Sequence, residues 1–257
     1  MTHGYRIFQH FNQWLSQQYL GKCLFETEQQ LLSSLLKRHY GRHALVLGVP
    51  RQLELLQSSA MPCHTLISPL VCHEENHHYI EADFRELPIL TGSIDLVILP
   101  HTLELIDHPR HLLIEACRIV KPEGLIVIAG FNRLSSWGIK KIFSKGHHVP
   151  WSLNFLHLHE IKNWLRLAEF ELEEQRTALF RPPIKNKMVY QKLMFMEKIG
   201  DICFKHTGGI YLLFARAKVI PLTPIKLKWK QQLSQIRLPT TRGGYIARHL
   251  EHSKKIK

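Results

Sequence analysis

The sequence predicts an α/β fold whose sheet is largely parallel and buried on both faces. Three observations carry that prediction. Short apolar runs recur from residue 43 onward, helix-periodic stretches separate several of them, and turn-forming residues punctuate the joins. Strands covered on both faces read as near-continuous apolar runs, whereas half-exposed strands alternate.

The chain opens with helical spacing. In RIFQHFNQWLSQQYL, Ile7, Phe8, Phe11, Trp14 and Leu15 recur at three-to-four intervals, and these aromatics are expected to pack rather than to bind. LFETEQQLLSSLLKRHYG follows, with Leu31, Leu32, Leu35 and Leu36 on one face and Gly41 as its end. HALVLG (43–48), HTLIS (64–68), HYIEAD (78–83), IDLVIL (94–99) and LIVIAGF (125–131) then read as strands. Between the last two, HPRHLLIEACRIVK places Leu112, Leu113, Ala116, Ile119 and Val120 on one face of a helix that starts near Pro109. Asp107 or His108 is its expected cap, and Pro at the first helical position loses nothing by lacking an N–H. Pro122-Glu123-Gly124 reads as a turn back into the sheet, with Gly124 free to take positive φ.

The remainder repeats the theme. A helix is expected around LSSWGIKKIF, then a loop GHHVPWS, a helix over 159–170 and a strand over 170–180. RPPIKNK breaks the pattern, VYQKLMFMEKIGDI reads as one helix, and GIYLLFARAKV (209–219) as a last strand. The organisation expected is N-terminal helices over 1–41, a central domain over 42–219 and a tail over 220–257.

Composition narrows the class. Of the net +13, +9 lies between Lys218 and Lys257, where ten Lys or Arg face the single acid Glu251. The basicity therefore belongs to the tail, which is prolyl and weakly periodic and is expected to be extended or disordered, a flexible segment. Its simplest expected role is that of a solvated extension; its alternative is contact with RNA or another anionic surface, with Trp229 and Tyr245 able to stack on bases. No apolar run reaches the roughly 18 residues that span a bilayer, and the first residues lack a secretory pattern. Five cysteines without a CxxC pair fit a reducing compartment, so cytoplasm is the expected location. Cys63-His64, Cys72-His73 and His77-His78 match no zinc spacing, and no metal is expected. GxSxG, HExxH and phosphate-cradling glycine loops are absent, which leaves hydrolase and nucleotidase readings without an anchor.

Residues 79–132 carry the functional signal. In order they present Asp83, Leu87-Pro88, Ser93-Ile94-Asp95, His101-Thr102-Leu103-Glu104, Asp107-His108-Pro109 and Arg118-Ile119-Val120-Lys121-Pro122-Glu123-Gly124. This block resembles the central half of class I S-adenosylmethionine-dependent methyltransferases of the methyltransferase-11 type. The resemblance implies a Rossmann-like three-layer sandwich with a mostly parallel seven-stranded sheet and one antiparallel strand. It implies S-adenosylmethionine as cofactor and a methyl acceptor, most simply a small molecule. By the same resemblance Asp83 would accept from the adenine amino group with Phe84 beside the ring. Leu99, Pro100 and His101 would floor the methionine end, and His101 is the candidate base. Gly48 would be the surviving glycine of the cofactor loop and Ser68 the polar group ending the second strand. Tyr5 and Trp151 are expected as pocket walls.

The loop after the first strand departs from the family. Val46 stands where an acid is usual, and Pro50 and Gln52 stand where glycines are usual. A proline there removes one N–H donor. Ala215-Arg216-Ala217-Lys218-Val219-Ile220-Pro221-Leu222-Thr223-Pro224 resembles a segment of a related bacterial branch that shares this altered loop. Methyl transfer is the first functional expectation. The second is an inactive methyltransferase-fold scaffold, and the third is nucleic-acid binding through the tail.

Overall fold

A computed structural model describes residues 2–71, 78–144, 148–184, 186–203 and 207–218. The tail over 220–257, and Cys72, His73 and His77 of the Cys/His set, lie outside the described residues. Two helices, α1 (Thr2–Gln17) and α2 (Tyr19–Leu36), precede the sheet. The strands are β1 (His43–Leu47), β2 (Cys63–Ser68), β3 (His78–Glu81), β4 (Ile94–Pro100), β5 (Val120–Phe131), β6 (Phe170–Ala178) and β7 (Ile210–Ala217). Helices α3 (Pro109–Ile119), α4 (Ser136–Phe143), α5 (Leu158–Leu167), α6 (Lys187–Lys192) and α7 (Phe195–Cys203) fill the intervals.

The strands form one seven-stranded sheet in the order β3-β2-β1-β4-β5-β7-β6. All pairings among β1 to β5 are parallel, while β7 runs antiparallel to β5 and to β6. The expected mostly parallel sheet with one antiparallel strand is what forms. Ala44 to Leu47 and Leu96 to Leu99 are buried, as strands covered on both faces require. The chain leaves β1 toward β2 on one side and returns to β4 on the other. That reversal opens a crevice outside the carboxyl ends of β1 and β4, the place where open α/β sheets bind ligands.

Asp95 ties the opposite end together. Its carboxylate accepts from the amides of Arg42 and His43 at 3.0 Å and from Lys121 Nζ at 2.9 Å, joining β1, β4 and β5. Partial burial opposes ionisation, but Lys121 and the two amides outweigh it and hold this carboxyl below its ordinary range. A depressed carboxyl stabilises the fold above its unfolded value and ceases to do so as pH falls through its folded value. Asp95→Asn is therefore expected to flatten the acid limb of stability against pH. Urea midpoints from pH 6 downward would test this, and an unchanged limb would remove the role.

Several local expectations need correction. Glu123, not Gly124, takes the positive φ of 64°. Gly124 is required for a different reason, since a Cβ there would sit 2.7 Å from Val120 Cγ1 and 2.9 Å from the Lys121 carbonyl. That conformation lets β5 begin at Val120 instead of 125. His108 occupies the cap of α3 but makes no side-chain capping bond. The single helix expected over 189–202 is two, α6 and α7. α2 stops at Leu36, short of Gly41. The loop after β1 holds a 3-10 segment, Pro50–Ser58, whose Gln52, Leu53, Leu55 and Leu56 are buried; its Leu-rich run was too short to announce a helix.

Candidate functional site

The crevice between β1 and β4 is laced shut by the chain's own groups. Gln52 reaches across it: its Oε1 accepts from the Val49 amide at 3.0 Å and its Nε2 donates to the Pro100 carbonyl at 2.8 Å. Thr102 Oγ1 donates to the Leu47 carbonyl, a second link between the two loops. A Cβ added to Gly48 would overlap Gln52 Oε1, so the open face of this glycine is occupied by a side chain. Gln52 is fully buried.

The next residue along, His101, sits in the left-handed region at φ 59°. A non-glycine residue held there by its surroundings is a common mark of a functional site. Its ring is fully buried between two carboxylates. Nδ1 lies 2.8 Å from Glu104 Oε2 and Nε2 lies 2.8 Å from Glu28 Oε1. Each ring nitrogen thus faces a carboxylate oxygen, the arrangement in which an imidazolium can donate to both. Burial alone would lower the histidine's pKa, but Glu28 and then Glu104 outweigh it and push it up to about 10. Glu104 is itself pushed upward by burial, against the pull of His101 and of the Phe131 amide, which donates to its Oε1 at 2.7 Å.

Glu28 arrives from α2, where it falls on the buried stripe of Leu24, Leu32 and Leu35. α1 covers the same region. Phe11 lies 5.8 Å from the His101 ring, Trp14 lies 6.4 Å from Phe131, and Phe131 lies 4.2 Å from His101. Asn12 Oδ1 accepts from the Arg51 amide at the start of the 3-10 segment, and Gln29 Nε2 donates to the Glu54 carbonyl. The first two helices are thus clamped to both loops of the crevice.

The other expected site residues are dispersed. Ser68 ends β2, buried, its Oγ accepting from the Leu70 amide at 3.2 Å. Asp83 follows β3 with a side chain 63% exposed. Its Oδ1 accepts from the Arg85 amide of its own turn. Phe84 is buried, but its ring lies 5.5 Å from Phe8 of α1, which takes the face expected for adenine. Leu99 is sealed within β4 and Pro100 offers its carbonyl to Gln52. Tyr5 is partly exposed on α1, and Trp151 is buried against Trp137 instead of lining a pocket. The aromatics of the first helix pack, as expected.

Two cavities flank this region without entering it. One of about 290 Å³ is lined by Asn12, Ser16, Pro50, Arg51, Glu54 and His64, among others. Another of about 280 Å³ lies at the amino ends of the strands near Asp95, Lys121 and Gly124. Neither is lined by Gly48, Ser68, Asp83 or His101. Among the described residues no cluster of three or more His, Cys, Asp or Glu could hold a metal ion. No helix among them is long and apolar enough to cross a membrane.

Sequence reasoning missed Glu28 and Gln52. A lone acid at the i+4 step of a leucine stripe was the available signal for the first. For Gln52 the signal was its place where a glycine is usual, but not its role as a plug, because the sequence does not say which way a loop side chain turns.

The chain is similar to several known proteins. Residues 36–128 match the family described as a methyltransferase domain. The chain is 26% identical over 227 residues to the Escherichia coli K12 protein YafS, covering 84% of this chain and 85% of that one. It is 28% identical over 102 residues to a ubiquinone biosynthesis O-methyltransferase of Xanthomonas oryzae, covering 36% of this chain and 41% of that one. Among solved structures, an S-adenosylmethionine-dependent methyltransferase of Thermotoga maritima superposes with a TM-score of 0.62. The two are 18% identical, and the match covers 84% of this chain and all of the other.

Proposed function

We propose that the chain, whose residues 36–128 match a methyltransferase domain and whose fold is that of class I S-adenosylmethionine-dependent methyltransferases, transfers methyl groups only after its crevice has opened, the described arrangement being a closed form. The observation that carries this reading is the nature of the obstruction. The crevice is filled by the tip of one flexible side chain, Gln52, and covered by two helices. A rotamer change and a helix displacement would free it.

As arranged, the residues do not fit an adenosyl group. Gln52 fills the approach to Gly48, Phe8 covers Phe84, the Ser68 hydroxyl serves Leu70, and Asp83 faces its own turn. Recognition of the cofactor by these residues belongs to the open form. A second reading, a sealed methyltransferase-fold module that no longer binds cofactor, is favoured by Val46 and Pro50 in the loop after β1. The methyl acceptor, and any contact of the 220–257 tail with RNA, stand on the sequence alone.

Thermal unfolding with S-adenosylhomocysteine separates the two, because a ligand of the native state raises its apparent stability. The parent chain is expected to show a small rise in Tm. Gln52→Gly, which removes the plug, is expected to bind at least tenfold tighter, about 1.4 kcal/mol. If neither chain responds, the transferase reading fails and the sealed module stands.

A further inference from the structure

We propose that the Glu28–His101–Glu104 cluster is a recognition site for a ligand bearing a protonated amine, with Glu28 as its anchor. Glu28 Oε1 is held by His101, but Glu28 Oε2 is buried and has no hydrogen-bond partner. Buried carboxylate oxygens are ordinarily paired, because leaving one dry and unsatisfied is costly. An orphaned oxygen in a functional crevice therefore marks the place of an absent donor.

Charge selects the donor. Counted as one imidazolium and two carboxylates, the cluster keeps one uncompensated negative charge. Among the described residues no Lys or Arg hydrogen-bonds to Glu28 or Glu104. Lys141 acts on Glu104 only from a distance, its Nζ being held on the Leu153 carbonyl. An ammonium group would neutralise the cluster and donate to Oε2. A hydroxyl would supply the hydrogen bond but leave the charge, and an anion would be repelled. Phe11, Phe131 and the neighbouring Trp14 add ring faces that attract a cation.

Access runs through the element already described. Pro100 is held by Gln52 and His101 by Glu28, so both locks sit on one loop, and an entering amine would take up the Glu28 oxygen that nothing else uses. The inference rests on the crevice but not on cofactor binding. In the transferase reading the ammonium first passes a proton to Glu28 Oε2 and the neutral amine then accepts the methyl; in the sealed-module reading it is simply a bound ligand.

The test uses the full chain with phenethylamine and its uncharged counterpart 2-phenylethanol as probes, followed by thermal unfolding and calorimetry at pH 7. The amine is expected to bind at least tenfold tighter than the alcohol, and Glu28→Gln to erase that preference. Glu28→Asp, which keeps the charge but withdraws the oxygen, serves if Glu28→Gln does not fold; it is expected to weaken amine binding without favouring the alcohol. Equal binding of the two probes, no response to the amine, or a variant that retains the preference would overturn the assignment and leave Oε2 to a buried water. A chain that binds amine but not S-adenosylhomocysteine defeats the transferase reading alone.

Discussion

His101→Ala is expected to lose about 3–5 kcal/mol of stability at neutral pH, because it strands two buried carboxylates that now share one imidazolium. Domains of this size are stable by roughly 5–15 kcal/mol, so the loss is a large fraction of the whole. The parent chain carries a second signature of the same cluster. A histidine whose folded pKa lies above its unfolded value stabilises fully below the unfolded value, 6.5, and ceases to do so as pH rises through about 10. Glu104, also pushed upward, acts in the same direction. Stability should therefore fall as pH rises from about 6.5 to about 10, and His101→Ala should flatten that slope. Denaturant midpoints at three or four pH values decide it; a variant with the parent's slope would show that the cluster is not the titrating unit.

Trp137→Ala should be comparably severe, at about 3–5 kcal/mol. Trp137 is fully buried at the start of α4, its ring 5.5 Å from Phe131 and 5.8 Å from Trp151. Its Nε1 donates to the Arg181 carbonyl at 3.2 Å, pinning the segment between β6 and α6. The void would open directly behind Phe131, the ring that backs His101. Stability should drop in urea unfolding, and hydrogen exchange should rise in the Phe131 region as well as in α4. Exchange confined to α4 would mean that the aromatic stack does not couple the two. Trp137→Phe, which keeps most of the volume, should recover most of the stability but not the Arg181 link.

The contrast between what was legible and what was not follows from chemistry. Strands such as IDLVIL announce themselves, since burial on both faces demands unbroken apolar runs, and β4 forms within a residue of the expected span. The mostly parallel seven-stranded sheet with one antiparallel strand followed from the 79–132 block through its resemblance, and the structure has it. The crevice was legible only as a place. Gly48, Pro100 and His101 do lie around it, but the expectation that they face an open pocket overlooked what a glutamine in a glycine's position does. Gln52 bonds the nearest amide and carbonyl, and the space closes. His101 was expected as a lone base; its two acid partners lie 73 residues before it and three after, and only the fold brings the distant one home.

The covering helices also impose an order on biosynthesis. α1 and α2 leave the ribosome before the strands they cover, so their partners come late: Glu28 meets His101, and Trp14 meets Phe131. At ~5–20 residues per second, Trp14 waits roughly 6–23 s for its partner to be made. Until Phe84 and Phe131 are made, Phe8 and Trp14 lack these ring partners and leave an apolar stripe on the nascent chain. The helices that seal the finished protein are thus open to association while it is being built.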